Sequence, residues 1–147
     1  MFEKISTKLK AILEANDLIQ EVHDFEASEL SGSPVAIVIP SGNESDFSST
    51  TENRRTYGFV IRLYVDRLSG NTNERETETT MRELVDTVLD DLDKDYQLSG
   101  LDVNTGYCLL WSSASPSAWG YAGRENIYRV AEITVSVHFD VDTELIN

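Results

Sequence analysis

The run DDLDKD at residues 90–95 sets several metal-ligating side chains close together. On a calcium-loop template, Asp91, Asp93 and Asp95 take the first three ligand positions, Leu98 the buried apolar position and Asp102 the last. Two departures count against calcium. Tyr96 stands where glycine must make the sharp turn, and Asp102 is shorter than the glutamate that binds through both oxygens. Leu89 and Leu92 also carry a helical period through the first aspartates, so a solvated helix end is expected and no metal site. The two histidines, His23 and His138, stand in no motif with Ser, Cys or carboxylate that would pair a nucleophile with a base. The chain has no phosphate-cradling glycine loop, no G-x-S-x-G and no H-E-x-x-H. No catalytic residue and no cofactor is expected, and the chain reads as non-enzymatic. Cys108, the single cysteine, allows no internal disulfide, and its place in the run YCLLW at 107–111 suits a small buried hydrophobe.

Residues suited to gripping a protein partner are easier to find. Two strand-like runs, PVAIVIP at 34–40 and YGFVIRLYVDR at 57–67, are joined by sixteen polar residues, 41–56. Antiparallel neighbours need only about two to five residues to turn. The insert, SGNESDFSSTTENRRT, has one aromatic and no aliphatic side chain, so it cannot form a core of its own. It reads as a long hairpin loop, loosely ordered in the free subunit, with Phe47, Glu52, Arg54 and Arg55 as contacts on a neighbour. A solvated arginine pair is the plainer alternative. Residues 111–124, WSSASPSAWGYAGR, read as a second flexible loop. There Trp119, Tyr121 and Arg124 either anchor an interface or, for Trp119, fold back over the sheet end.

The elements that must position these residues follow from periodicity. Phe2, Ile5, Leu9, Ile12 and Leu13 predict an amphipathic helix ending near Asn16 and Asp17. A weak strand follows over 18–25, then a turn-rich stretch over 28–33 and the strand 35–39, whose bracketing prolines suit an edge or a strand end. Phe59, Ile61, Leu63 and Val65 share one strand face, with Arg62 and Asp66 on the other. Asn71 and Glu74 read as a capping box after the break at 69–73. Met81, Leu84, Val85, Val88, Leu89 and Leu92 then form a continuous stripe on a helix over 73–95, with Gly100 at the exit. Strands over 103–111 and 127–141 close the chain. The order helix, strand, strand, strand, helix, strand, strand predicts a single α+β domain over residues 1–147. Its sheet is mostly antiparallel, with four to five strands and both helices on one face.

Charge narrows the function. The chain carries 26 acidic against 12 basic residues, a net charge of −14. That argues against a grip on nucleic acid phosphates, though an acidic surface can repel DNA and let it slide past. Glu78, Asp86, Asp90 and Asp93 of the second helix are candidates for such a face; one ordinary face of an acidic protein is the alternative. The longest apolar runs are far short of the ~20 residues that span a bilayer, and no secretion signal is visible. A soluble protein made in a cytoplasm is expected.

The layout as a whole resembles the tail terminator and tail-completion proteins of long-tailed bacteriophages. The resemblance runs through the opening helix, the strand 35–39, the long polar segment and the strand 59–65. It continues through the acidic helix 74–92, Leu98-Ser99-Gly100, the arginine-bearing stretch 124–129 and the strand 130–139. It has no short diagnostic motif and transfers no site residues. It implies a structural virion protein forming a ring, commonly a hexamer, that caps the tail tube, ends its polymerisation and offers a surface to the head connector. Partners would be further copies of the chain, the tail tube protein, the connector and passing DNA, with no membrane. A head–tail joining or neck protein, and a small acidic binding or regulatory domain, are the alternatives.

Overall fold

A computed structural model describes residues 1–67, 74–123 and 127–146. The elements are α1 (Phe2–Glu14), β1 (Glu21–His23), β2 (Val35–Phe47), β3 (Glu52–Asp66), α2 (Glu74–Lys94), β4 (Tyr107–Gly123) and β5 (Ile127–Asp142). The five strands form one sheet in the order β1-β2-β3-β5-β4. β1 and β2 pair in parallel, and the other three pairings are antiparallel. The α+β class, the element order and the mostly antiparallel sheet agree with expectation.

Both helices cover one face of the sheet. α1 buries Ile5, Leu9 and Leu13, and α2 buries Met81, Leu84, Val85, Val88 and Leu92. These side chains meet Phe59, Ile61, Leu63, Ile133, Val135, Val137 and Phe139 in a single core. The alternation seen in β3 and β5 is what delivers those residues to one side. α1 ends where the Asn16 side chain turns inward, its Oδ1 accepting from Leu18 N and its Nδ2 donating to Asp91 of α2. α2 stops at Lys94; Leu98 and Gly100 beyond it have positive φ, and Leu98 is buried. On the opposite face, Ala27 and Leu30 cover Val35, Ile37, Tyr64 and Tyr128, leaving the rest of that face open.

Four expectations need correcting. Residues 41–56 are not a loop. β2 and β3 continue through them in register from Asn43 opposite Tyr57 to Phe47 opposite Asn53, and the turn is only residues 48–51. Glu52 O accepts from Ser48 N and Ser49 N, while Ser49 Oγ accepts from Thr51 N and Glu52 N. Serine side chains bonding back to the chain are ordinary turn chemistry. Residues 111–123 are likewise not a flexible loop but most of the 17-residue strand β4, paired with β5 throughout. Cys108 is exposed rather than buried. The strand expected over 18–25 shrinks to the three residues of β1, which reach only Val35, Ala36 and Ile37 of β2. Pro40 therefore lies past the end of β1, at a register shift where its missing N–H is tolerated. The capping box at Asn71 lies outside the described residues.

Candidate functional site

Among the described residues, strand backbone without a neighbouring strand lies at both sheet edges. Among these residues β4 is an outer strand with no further strand beside it, only Tyr96 O accepting from Ser112 N, and none of its 17 residues carries a charged side chain. Edge strands ordinarily carry Lys, Glu or Pro to discourage pairing with another chain. Here the single Pro116 sits at a register shift and the remainder is YCLLWSSAS and SAWGYAG. At the other edge, β1 covers only the first three residues of β2, so the outer flank of residues 40–47 is bare as well. The register links the two flanks. Ser45, Arg55, Phe139 and Leu109 lie in one row across the sheet, and Asn43, Tyr57, Val137 and Ser112 two rows further along, on the same face. The bare half of β2 and the first half of β4 are thus at the same height.

The residues expected to grip a partner divide into several groups. Phe47 is 60% exposed beside the hairpin turn. Glu52 is exposed, opposite Asp142 of β5. Arg54, on the open face, is committed within the chain, its Nε donating to Asp140 Oδ1 at 3.0 Å. Arg55 points to the helix-covered face, where its Nη1 donates to the hydroxyls of Tyr57 and Tyr107 and its guanidinium lies over the Tyr107 ring. Asn53, between Glu52 and Arg54, is buried, and its Oδ1 has no partner among the described residues. Arg124 lies outside the described residues.

Trp119 and Tyr121 are on β4, opposite Ala131 and Arg129, and so share the helix-covered face. Both are substantially exposed, yet both are held. The Arg129 guanidinium lies 5.4 Å from the Trp119 ring centroid and 4.9 Å from that of Tyr121. The same guanidinium reaches Glu78 of α2 through Nε at 2.8 Å and Nη2 at 3.3 Å, and donates to Gly120 O. Trp119 thus stacks on an arginine instead of folding over the sheet end. The hydrogen bond from Arg129 is the main reason that the Glu78 carboxyl titrates below its ordinary range, against an opposing push from burial. Sequence reasoning missed Arg129 altogether; the signal was its place on the inward-facing register of β5 among apolar residues.

Glu78 therefore does not belong with the acidic face expected of α2, because it is turned into this clamp. Asp86, Asp90 and Asp93 are exposed, as is Glu83. The calcium-loop reading fails on geometry. Asp91 and Asp93 are inside α2 and Asp95 follows its last residue. Asp91 accepts from Asn16, while Asp95 pairs with Lys8 and accepts from Ser99 N. Among the described residues, no cluster of three or more His, Cys, Asp or Glu side chains could hold a metal ion.

The histidines serve local structure. His23 pairs with Glu21, which also accepts from Ser31 and Gly32 and so ties β1 to the segment leading into β2. His138 bonds Thr56 and stacks on Trp111 on the open face. Burial first, and Arg54 second, lower its pKa. A hollow of about 610 Å³ is lined by Lys4, Asp102, Val103, Asn104, Thr105, Tyr107 and Ile146. Lys4 there already donates to Asp102 and Asn104, and no nucleophile–base pair faces the space. Among the described residues no helix is long and apolar enough to cross a membrane. In comparisons with known proteins, neither a family model nor a curated sequence matches this chain.

Proposed function

We propose that this chain is a structural virion protein of the phage tail terminator type. Copies join into a closed ring that caps the tail tube, ends its polymerisation and offers a surface to the head connector. The observation that carries the reading is β4: a 17-residue outer strand without a single charge, on a chain that is 26% charged. An edge of that kind is a template for another chain, interrupted here at Pro116, which has no N–H, and at Ser112, whose N donates to Tyr96 O. The bare half of β2 supplies a complementary edge at the same height. β2 and β3, β3 and β5, and β5 and β4 are all antiparallel. A copy displaced along the sheet therefore presents its β2 to β4 in antiparallel sense. Because the two edges differ, the contact is head-to-tail, and head-to-tail contacts generate rings when the rotation closes. In such a ring the exposed row Glu83, Asp86 and Asp90 of α2 provides fixed negative charge, which a bore conducting DNA needs in order not to bind it.

The test is solution mass together with negative-stain microscopy in the presence of the cognate tail tubes. Discrete rings that dock on tube ends and arrest their growth are expected. A protein that stays monomeric at high concentration and leaves tube ends bare would sink the proposal. Rings that bind without altering tube length would move the assignment to a head–tail joining protein.

A further inference from the structure

We infer that β1 is a detachable guard on the edge of β2, released when β4 of a second copy of this chain pairs along β2. The inference rests on the ring reading above and adds to it the step that admits the neighbour. The register sets the problem. Val22 of β1 lies opposite Ala36, and the row continues through Leu63 and Ala131 to Trp119 of β4. β1 therefore stands at the height of residues 118–120 of β4, while the bare residues 40–47 of β2 stand at the height of 107–114. When the next copy's β2 runs level beside β4, that copy's β1 falls on the line that β4 already occupies at 118–120. Two strands cannot share one line, so the contact closes only after β1 has moved aside.

β1 is lightly attached. It is three residues long, none of them fully buried, and it pairs only with Val35, Ala36 and Ile37. That pairing is the one parallel ladder of the sheet, and parallel pairs are slightly less stable per residue. Glu21 pairs with His23 and accepts from Ser31 N, Ser31 Oγ and Gly32 N, at 3.2, 3.0 and 3.0 Å. His23 meets the Phe25 ring edge-on, and Gln20 N donates to Pro34 O just before β1. None of these contacts reaches β3, β4, β5 or a helix. Only Val22 packs against the main core, and it is half-buried. Buried Ile19 and Ala27 anchor the chain on either side, which confines the movement to residues 20–26.

The exchange favours the neighbour. Release of β1 extends the bare edge of β2 from residues 40–47 to all 13 residues of the strand. A three-residue parallel ladder is given up for a longer antiparallel one, even with the interruptions at Ser112 and Pro116. Gly120 O already accepts from Arg129, but a carbonyl oxygen keeps a second lone pair for an incoming N–H. In the free subunit the guard does what a short edge strand ordinarily does, leaving less of β2 open to pairing with a wrong chain.

A reversible lock read by mass photometry tests the guard. Val22 and Ala36 are register partners in adjacent strands, about 4.8 Å apart and within the span of a disulfide. Val22→Cys with Ala36→Cys, in a Cys108→Ser background, fastens β1 to β2 when oxidised. Locking removes the pairing-competent state, so the oxidised protein should need about tenfold or more the concentration of its reduced form for half-assembly. The reduced form should stay within about threefold of Cys108→Ser alone. Glu21→Gln gives an independent readout that needs no crosslink. It weakens the bonds to Ser31 and Gly32, so amide exchange at residues 21–23 should quicken about threefold or more and half-assembly should come at lower concentration. Assembly of Glu21→Gln no easier than the parent's overturns the guard, whatever the exchange rates. A parent protein that never assembles overturns this step and the ring reading together, whereas an oxidised lock that assembles like its reduced form overturns the guard alone.

Discussion

Replacing Arg129 with methionine isolates the clamp between α2 and the far ends of β4 and β5. Methionine keeps most of the side-chain volume and its stem can pack in the same groove. It removes the two hydrogen bonds to Glu78, the bond to Gly120 O and the stacking on Trp119 and Tyr121. The Arg129 and Glu78 side chains are only 14% and 23% exposed, so solvent recovers little of what is lost. Hydrogen bonds to a charged group contribute about 1.5–3 kcal/mol and a cation–π contact about 0.5–1. Arg82, at 3.4 Å from Glu78 but 58% exposed, compensates by less than about 1 kcal/mol. The expected loss is therefore about 2–3 kcal/mol, or roughly 5–10 °C in Tm for a chain of this size. A thermal melt at neutral pH measures it.

The sign of the pH dependence provides a sharper check. Glu78 has a folded-state pKa below its ordinary 4.5. Its contribution is therefore present above the unfolded value and lost as pH falls through the folded one. The gap between parent and Arg129→Met should shrink as pH falls below the ordinary carboxylate range and through the folded-state value. A double-mutant cycle with Glu78→Gln should give a coupling above about 1 kcal/mol. Equal gaps at both pH values together with zero coupling would refute the reasoning.

Three further outcomes are expected. Ser113→Lys with Ser115→Lys, both exposed on β4, should leave monomer stability within about 0.5 kcal/mol per site while suppressing assembly; melting and mass measured side by side check both halves. Gly106→Ala should cost more than Gly100→Ala. Both have positive φ, but a Cβ at Gly106 would meet Asp142 O at 2.9 Å, whereas one at Gly100 meets nothing within 4 Å. Gly100→Ala should lose only the left-handed backbone cost of about 1–2 kcal/mol, and equal losses in urea titrations would contradict the contact argument. Millimolar calcium should leave the melting temperature unchanged, because Asp91 and Asp93 lie within a continuous helix; a clear rise would reopen the loop reading.

What was legible in the sequence was whatever one buried face writes into it. The stripes of α1 and α2 and the alternation in β3 and β5 placed both helices on one sheet face, because each of these elements must bury one side. The hairpin's outer half and β4 were misread as loops for the converse reason. Residues 41–47 are exposed on both faces, so Ser, Asn, Glu and Asp are tolerated there and no apolar period marks the strand. β4 is covered only in part, and its small residues imitate a linker. Its real signal was the complete lack of charge in a chain this acidic. The two adjacent arginines could not be told apart in sequence. Strand alternation puts Arg54 on the open face with Asp140 and Arg55 on the helix face with the Tyr57 and Tyr107 hydroxyls, a distinction that exists only once the register is known.

The proposed joining of β4 to the next copy's β2 can be tested chemically with one substitution. Asp46, Arg54, Asp140 and Cys108 form a row across the sheet, all on the open face. Within one chain a cysteine at position 46 is three strand spacings, about 14 Å, from Cys108, far beyond the ~7 Å limit for a disulfide. Between copies joined as described, the two fall in adjacent strands. Mild oxidation of Asp46→Cys should give a disulfide-linked ladder ending at the ring size, while the parent, with Cys108 alone, gives no species beyond a dimer. An oxidised variant that assembles yet shows no ladder on a non-reducing gel would contradict the edge-to-edge account.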